Sequence, residues 1–166
     1  MSMTPTNKLH FREQLADFCS LAEAYESRWA YSQRRPYTGL GASPTTWHTD
    51  DCSSYVALAF WWAGHHSGHP VSDPLGMHYS GWGFTGSAYT ALHEHEAPKD
   101  KYRIGDVCIY GRSVWDTVHM TVCRKEGTAK TAVWSSHGRQ AGPEPRVDIH
   151  YHPVPLIGVF RHAALL

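Results

Sequence analysis

The sequence is short of charge, of paired cysteines and of long apolar runs. Asp, Glu, Lys and Arg make up 18% of its 166 residues, below the roughly 25% of an average domain. Fifteen acidic side chains balance fifteen basic ones, so the formal net charge is zero. A neutral chain has no basic face with which to displace counterions, and a nucleic-acid partner is not expected. No apolar run reaches the ~20 residues of a membrane span, so no stable membrane insertion is expected either. Residues 1–9 carry neither the apolar stretch nor the cleavage site of a secretory signal. Cys19, Cys52, Cys108 and Cys123 form no CxxC pair, which removes the usual zinc-ligand spacings. Without an export signal, buried free thiols are expected rather than a disulfide framework.

The chain is instead rich in imidazole and aromatic rings, with 13 His, 7 Trp and 9 Tyr. So many histidines in a chain of single-domain length point either to a metal site or to a polar catalytic cleft.

Apolar positions predict a first helix over 9–30, with Phe11, Leu15, Phe18, Cys19, Ala22, Tyr25 and Trp29 on one stripe. Arg34-Arg35-Pro36 ends it, and a loop rich in Gly, Pro, Ser and Thr follows through Thr49. A second helix is predicted over 53–63, apolar almost all round and therefore central, with Asp50 and Asp51 as N-cap signals and Gly64 as the C-terminal stop. A polar, glycine-rich stretch over 65–86 leads to a short helix near 87–95. Strands are then predicted at 107–110, 118–123, 131–136 and 156–161. Helices followed by antiparallel strands define an α+β fold in one domain, residues 1–166.

Cys52 stands out among the cysteines because it opens the central helix directly after a loop. The free N–H groups and dipole of a helix N-terminus favour a thiolate and can hold an oxyanion. Asp50 and Asp51 act in the opposite sense. A reactive thiol there needs a cationic partner, and a packed core cysteine is the plainer alternative. His119 is the partner candidate, on a strand face opposite Val118, Met120 and Val122; the plainer alternative is a half-exposed sheet histidine. His137 ends the next strand, and in an antiparallel pairing it can orient the His119 ring. This places nucleophile, base and orienter in the order Cys, His, His.

Four segments in order carry a resemblance: Arg35-Pro-Tyr-Thr-Gly-Leu-Gly41, Asp51-Cys-Ser-Ser-Tyr-Val56, Gly105-Asp-Val-Cys-Ile-Tyr110 and Val118-His-Met-Thr-Val122. Together, over about 34–162, they resemble the NlpC-type cell-wall cysteine peptidases. The resemblance implies a reduced papain-like core over 34–162 behind a helical segment at 1–33. It implies Cys52 as nucleophile, His119 as general base and His137 as the third polar residue. Tyr37 then stabilises the oxyanion, and Asp51 and Ser53 contact the free amine or backbone of a stem peptide. Leu40-Gly41, Ser54 and Met120-Thr121 depart from the family's pattern, and the aromatic insertion between Gly64 and Lys101 is long. The run 136–143 is similar to a segment of bacteriophage lysins of actinobacterial hosts.

The expectation is a peptidoglycan hydrolase of phage-lysin type, monomeric, with no metal and no cofactor. It is held in the host cytoplasm, then released to the wall, and cleaves a stem-peptide amide with D-glutamyl endopeptidase cleavage favoured. Three alternatives stand beside it: an N-acetylmuramoyl-L-alanine amidase with the same triad, a zinc hydrolase, and a non-catalytic wall-binding domain. The zinc alternative uses the clusters His65, His66 and His69 or His93-Glu-His-Glu96, which otherwise read as solvated loops. His150 and His152 are expected at the surface. Tyr79, Trp82, Phe84 and Trp115 line a sugar or peptide cleft, or else pack under a loop.

Overall fold

The computed structural model describes residues 3–138 and 142–166. Helix α1 spans Pro5–Ala24. It starts earlier than the stripe predicts because the Thr4 side chain caps it, accepting from Asn7 N–H, and Pro5 occupies the first turn, where a missing N–H costs nothing. It also ends earlier. Trp29, expected on the helical stripe, lies in the short strand β1 (Trp29–Tyr31), paired in parallel with β2 (His48–Asp50). The reason is tertiary: the Trp29 indole stacks on His48 with centroids 4.0 Å apart and donates to the Pro44 carbonyl.

Helix α2 spans Cys52–Ser67, four residues beyond the expected end, and stops at Gly68, whose φ of 74° is left-handed. Gly64 has a different role from the predicted stop. A Cβ there would meet the Pro70 backbone at 3.0 Å, so glycine lets the returning chain pack against the helix. Helix α3 is Thr85–Leu92.

Five antiparallel strands follow: β3 (Asp106–Ser113), β4 (Asp116–Lys125), β5 (Val133–His137), β6 (Pro143–Arg146) and β7 (Leu156–Arg161). Their order is β6-β5-β4-β3-β7. Strand β6 was not predicted; two of its four residues are proline, which reads as loop. Of the run 136–143, Arg139, Gln140 and Ala141 lie outside the described residues. The β3–β7 register is pinned where Asp106 faces Arg161, whose guanidinium makes two bonds to the carboxylate, at 2.7 and 2.8 Å.

The sheet is buried on both faces. Val107, Ile109, Met120 and Val122 join α1 and α2 in one core. Cys108, Tyr110, Cys123 and Trp134 form a second core beneath the loops that carry Tyr102 and Ile149. All four cysteines are free and buried. Among the described residues, no helix is long and apolar enough to cross a membrane. The architecture is α+β, with the helices gathered on one face of a small antiparallel sheet.

Candidate functional site

Asp51 caps α2 and fixes where Cys52 sits. Its Oδ1 accepts from the backbone N–H of Ser53 (3.1 Å) and Ser54 (2.9 Å) and from both serine hydroxyls. Its Oδ2 accepts from Arg35 at 2.7 Å, and the same guanidinium reaches Ser53 Oγ at 2.9 Å. Burial raises the Asp51 pKa, but these bonds, led by Ser54 N–H and Arg35, outweigh it and hold the carboxyl below its ordinary value. Arg35, expected as a helix stop and as the first residue of the 35–41 segment, is therefore a structural partner of the site. Asp51 and Ser53, expected to meet substrate, have their polar atoms committed to the cap.

Cys52 occupies the first position of α2. Burial pushes its thiol up to about 12, and the Asp51 charge adds to this against the nearby N–H groups of Met120 and Ser53. The resting group is a thiol, with Sγ 3.9 Å from Thr85 Oγ1 at the start of α3. Met120 is the residue directly after His119, so the thiol faces strand β4 at the level of the histidine candidate.

The His119 ring is engaged elsewhere. Its Nε2 lies 2.7 Å from Tyr151 Oη, and the ring stacks on His152 with centroids 4.7 Å apart and planes inclined by 12°. Burial, with the neighbouring His152 and Arg146, lowers its pKa to about 3, so it rests neutral. Among the described residues, no hydrogen bond joins Cys52 to a histidine.

His137 does not orient His119. Its Nδ1 bonds Asp50 Oδ1 at 2.6 Å, and the pair is wholly enclosed by Trp29, Tyr31 and Tyr55. The reason lies in the pleat. His137 is two residues from Ser135, which bonds Tyr55 of α2, so both point to the helical face. His119 lies with Thr121 and Cys123 on the other. Asp50, expected at the cap, is instead the partner of His137. Even so, His119 and His137 wall one cavity of about 230 Å³, together with Ser136, Arg146, Tyr151 and His152; Cys52 is not among its walls.

Tyr37 is buried, and its hydroxyl sits 3.4 Å from His48 Nδ1. Its loop is clamped by Gly81, whose carbonyl accepts from Tyr37 N–H at 2.7 Å. With φ at +80° and the Tyr37 backbone where a Cβ would stand, only glycine fits at 81.

Three of the remaining histidines pack on their own helices. His65 and His66 bond back to the carbonyls of Trp61 and Trp62 and stack on those indoles, and His93 does the same with Tyr89. Among the described residues, no group of three or more His, Cys, Asp or Glu is placed to hold a metal ion. His152, expected at the surface, packs on His119. Trp82, Phe84 and Trp115 are exposed, whereas Tyr79 is half-buried, its N–H bonded to the Asp73 carboxylate that organises 73–79. Reasoning from sequence missed Tyr151, Thr85 and Arg35; none lies in a periodic segment that marks its face.

Compared with models of protein families, with curated proteins and with solved structures, the chain finds no match.

Proposed function

We propose that the protein is a thiol-dependent hydrolase of peptidoglycan stem-peptide amides, built on a reduced papain-like arrangement with Cys52 as nucleophile and His119 as base. The observation that carries this reading is the placement of Cys52 Sγ at the N-terminus of α2, facing β4 beside Met120 N–H, one residue from His119. Because the thiol rests protonated and the imidazole neutral, proton transfer accompanies attack. The Sγ proton passes to His119 as the sulfur–carbon bond forms. The Cys52 N–H, which the Asp51 cap leaves unused, supports the oxyanion. The tetrahedral species collapses, the carbon–nitrogen bond breaks, and His119 returns the proton to the leaving amine; water then hydrolyses the thioester.

The closed cap refines the substrate. With Asp51 held by Arg35 and four further donors, no free carboxylate awaits a substrate ammonium. This favours a stem peptide still joined to its glycan, cut either by the endopeptidase or by the amidase. The test is digestion of purified sacculi with mass spectrometry of the fragments. Wild type is expected to release new amine ends, Cys52→Ala to release none with an unchanged fold, and EDTA to leave the activity intact. Full activity in Cys52→Ala removes the mechanism.

A further inference from the structure

The hydrogen bonds that begin at His119 pass to Tyr151 and Ser136 and do not include the His137 ring. Nε2 meets Tyr151 Oη at 2.7 Å, and that hydroxyl donates in turn to Ser136 Oγ at 3.4 Å. A phenol has a single proton. Directed to Ser136, it leaves the phenol oxygen to accept, so Nε2 must be the nitrogen that carries the imidazole hydrogen. The lone pair is then on Nδ1. The opposite polarity, with Tyr151 donating to Nε2, would put the hydrogen on Nδ1 and leave that nitrogen unable to take a proton.

The geometry around the pair is restrictive. His152 stacks on one face of the imidazole, and Tyr110 lies tilted at 5.7 Å. Tyr151 is itself held: its ring packs edge-on to Tyr110, and the Arg146 guanidinium lies over it at 5.2 Å. Arg146 is tied to Glu144 at 2.6 Å. Burial raises the Tyr151 hydroxyl to about 12, so it remains a phenol throughout the neutral range.

We propose that Tyr151 is the positioning residue of the site, fixing His119 as the Nε2–H tautomer so that Nδ1 is the nitrogen free to accept the Cys52 proton. The assignment rests on reading Cys52 and His119 as a thiol–imidazole pair, and it gives to a loop tyrosine the role expected of His137. Tyr151 acts through His119.

Two measurements on the full chain test it without any wall substrate. In the first, ring nitrogen spectra of histidine-labelled protein at neutral pH report the His119 tautomer directly. Wild type is expected to show Nε2–H alone, and Tyr151→Phe, which keeps the packing, to show a mixture. A wild-type Nδ1–H tautomer overturns the proposal, and does so even if the variant fails to fold. In the second, iodoacetamide alkylation of Cys52 is followed by peptide mapping across pH. Tyr151→Phe is expected to slow the reaction by about tenfold to a hundredfold, the scale of a mispositioned base, and to shift its pH profile toward that of an unassisted thiol. Unchanged alkylation in Tyr151→Phe overturns the positioning role. Unchanged alkylation in His119→Ala overturns the thiol–imidazole pair beneath it. Failure of sacculus cleavage with both measurements as expected removes only the substrate reading and leaves the Tyr151 assignment supported.

Discussion

Asp50 and His137 are fully enclosed, and each keeps one polar atom, Oδ2 and Nε2, without a hydrogen-bond partner. Burial raises the Asp50 pKa while the His137 contact lowers it, so the pair is held together by mutual need in a dry setting. Removing one member leaves the other buried and alone. Asp50→Ala is therefore expected to cost about 3–5 kcal/mol in urea unfolding. The double change Asp50→Leu with His137→Phe, which removes both polar groups, should cost clearly less. Equal losses in the two variants would show that the Asp50–His137 contact is not what holds this region. None of this was legible in the sequence. Asp50 next to Asp51 reads as a doubled cap signal, and only the fold, by bringing residue 137 across from β5, separates their tasks.

At the scale of elements, α2 and β4 were the most legible pieces, for physical reasons that differ. The apolar run from Tyr55 to Phe60 behind an acidic cap admits little but a central helix, and the alternation from Val118 to Cys123 sets the two faces of a strand. The three-residue strands β1 and β2 carry no usable period, and their pairing follows from the stack of Trp29 on His48. Tyr151 is equally hidden, since its partner lies 32 residues away and its loop has no pattern. The Asp51 cap makes a prediction of its own. It satisfies two backbone donors and anchors Arg35, so Asp51→Ala should lower stability by about 1–2 kcal/mol or somewhat more through the stranded guanidinium. Urea midpoints at neutral pH measure this. A change within error would mean that the serine hydroxyls replace the cap.

For the molecule as a whole, the neutral histidines impose a pH dependence. Burial lowers His119 to about 3 and His162 to about 4, against 6.5 for the free side chain. A depressed basic group holds its proton more tightly in the unfolded chain, so stability rises with pH across the interval. The contribution is complete above pH 6.5 and is lost as pH falls from there through 4 toward 3. Each histidine adds a slope of at most about 1.4 kcal/mol per pH unit. Thermal midpoints between pH 7 and pH 4 should fall, and His119→Gln, neutral at every pH, should fall less steeply. Parallel curves would show that His119 does not stay neutral in the fold.

The sheet's β6 edge has a consequence for behaviour in concentrated solution. Pro143 and Pro145 face His137 and Ser135, while Glu144 and Arg146 face Ser136 and Trp134. Proline donates no hydrogen, so the bonds to β5 fall to Glu144 and Arg146, and the outward positions of the strand offer carbonyls only. A foreign strand arriving there finds no ladder of donors to continue. Replacing both prolines with valine supplies those donors, and light scattering during storage is expected to rise in the variant while the fold of the chain persists. In wild type, the rim nearest the His119 cavity resists templated self-association through backbone chemistry alone.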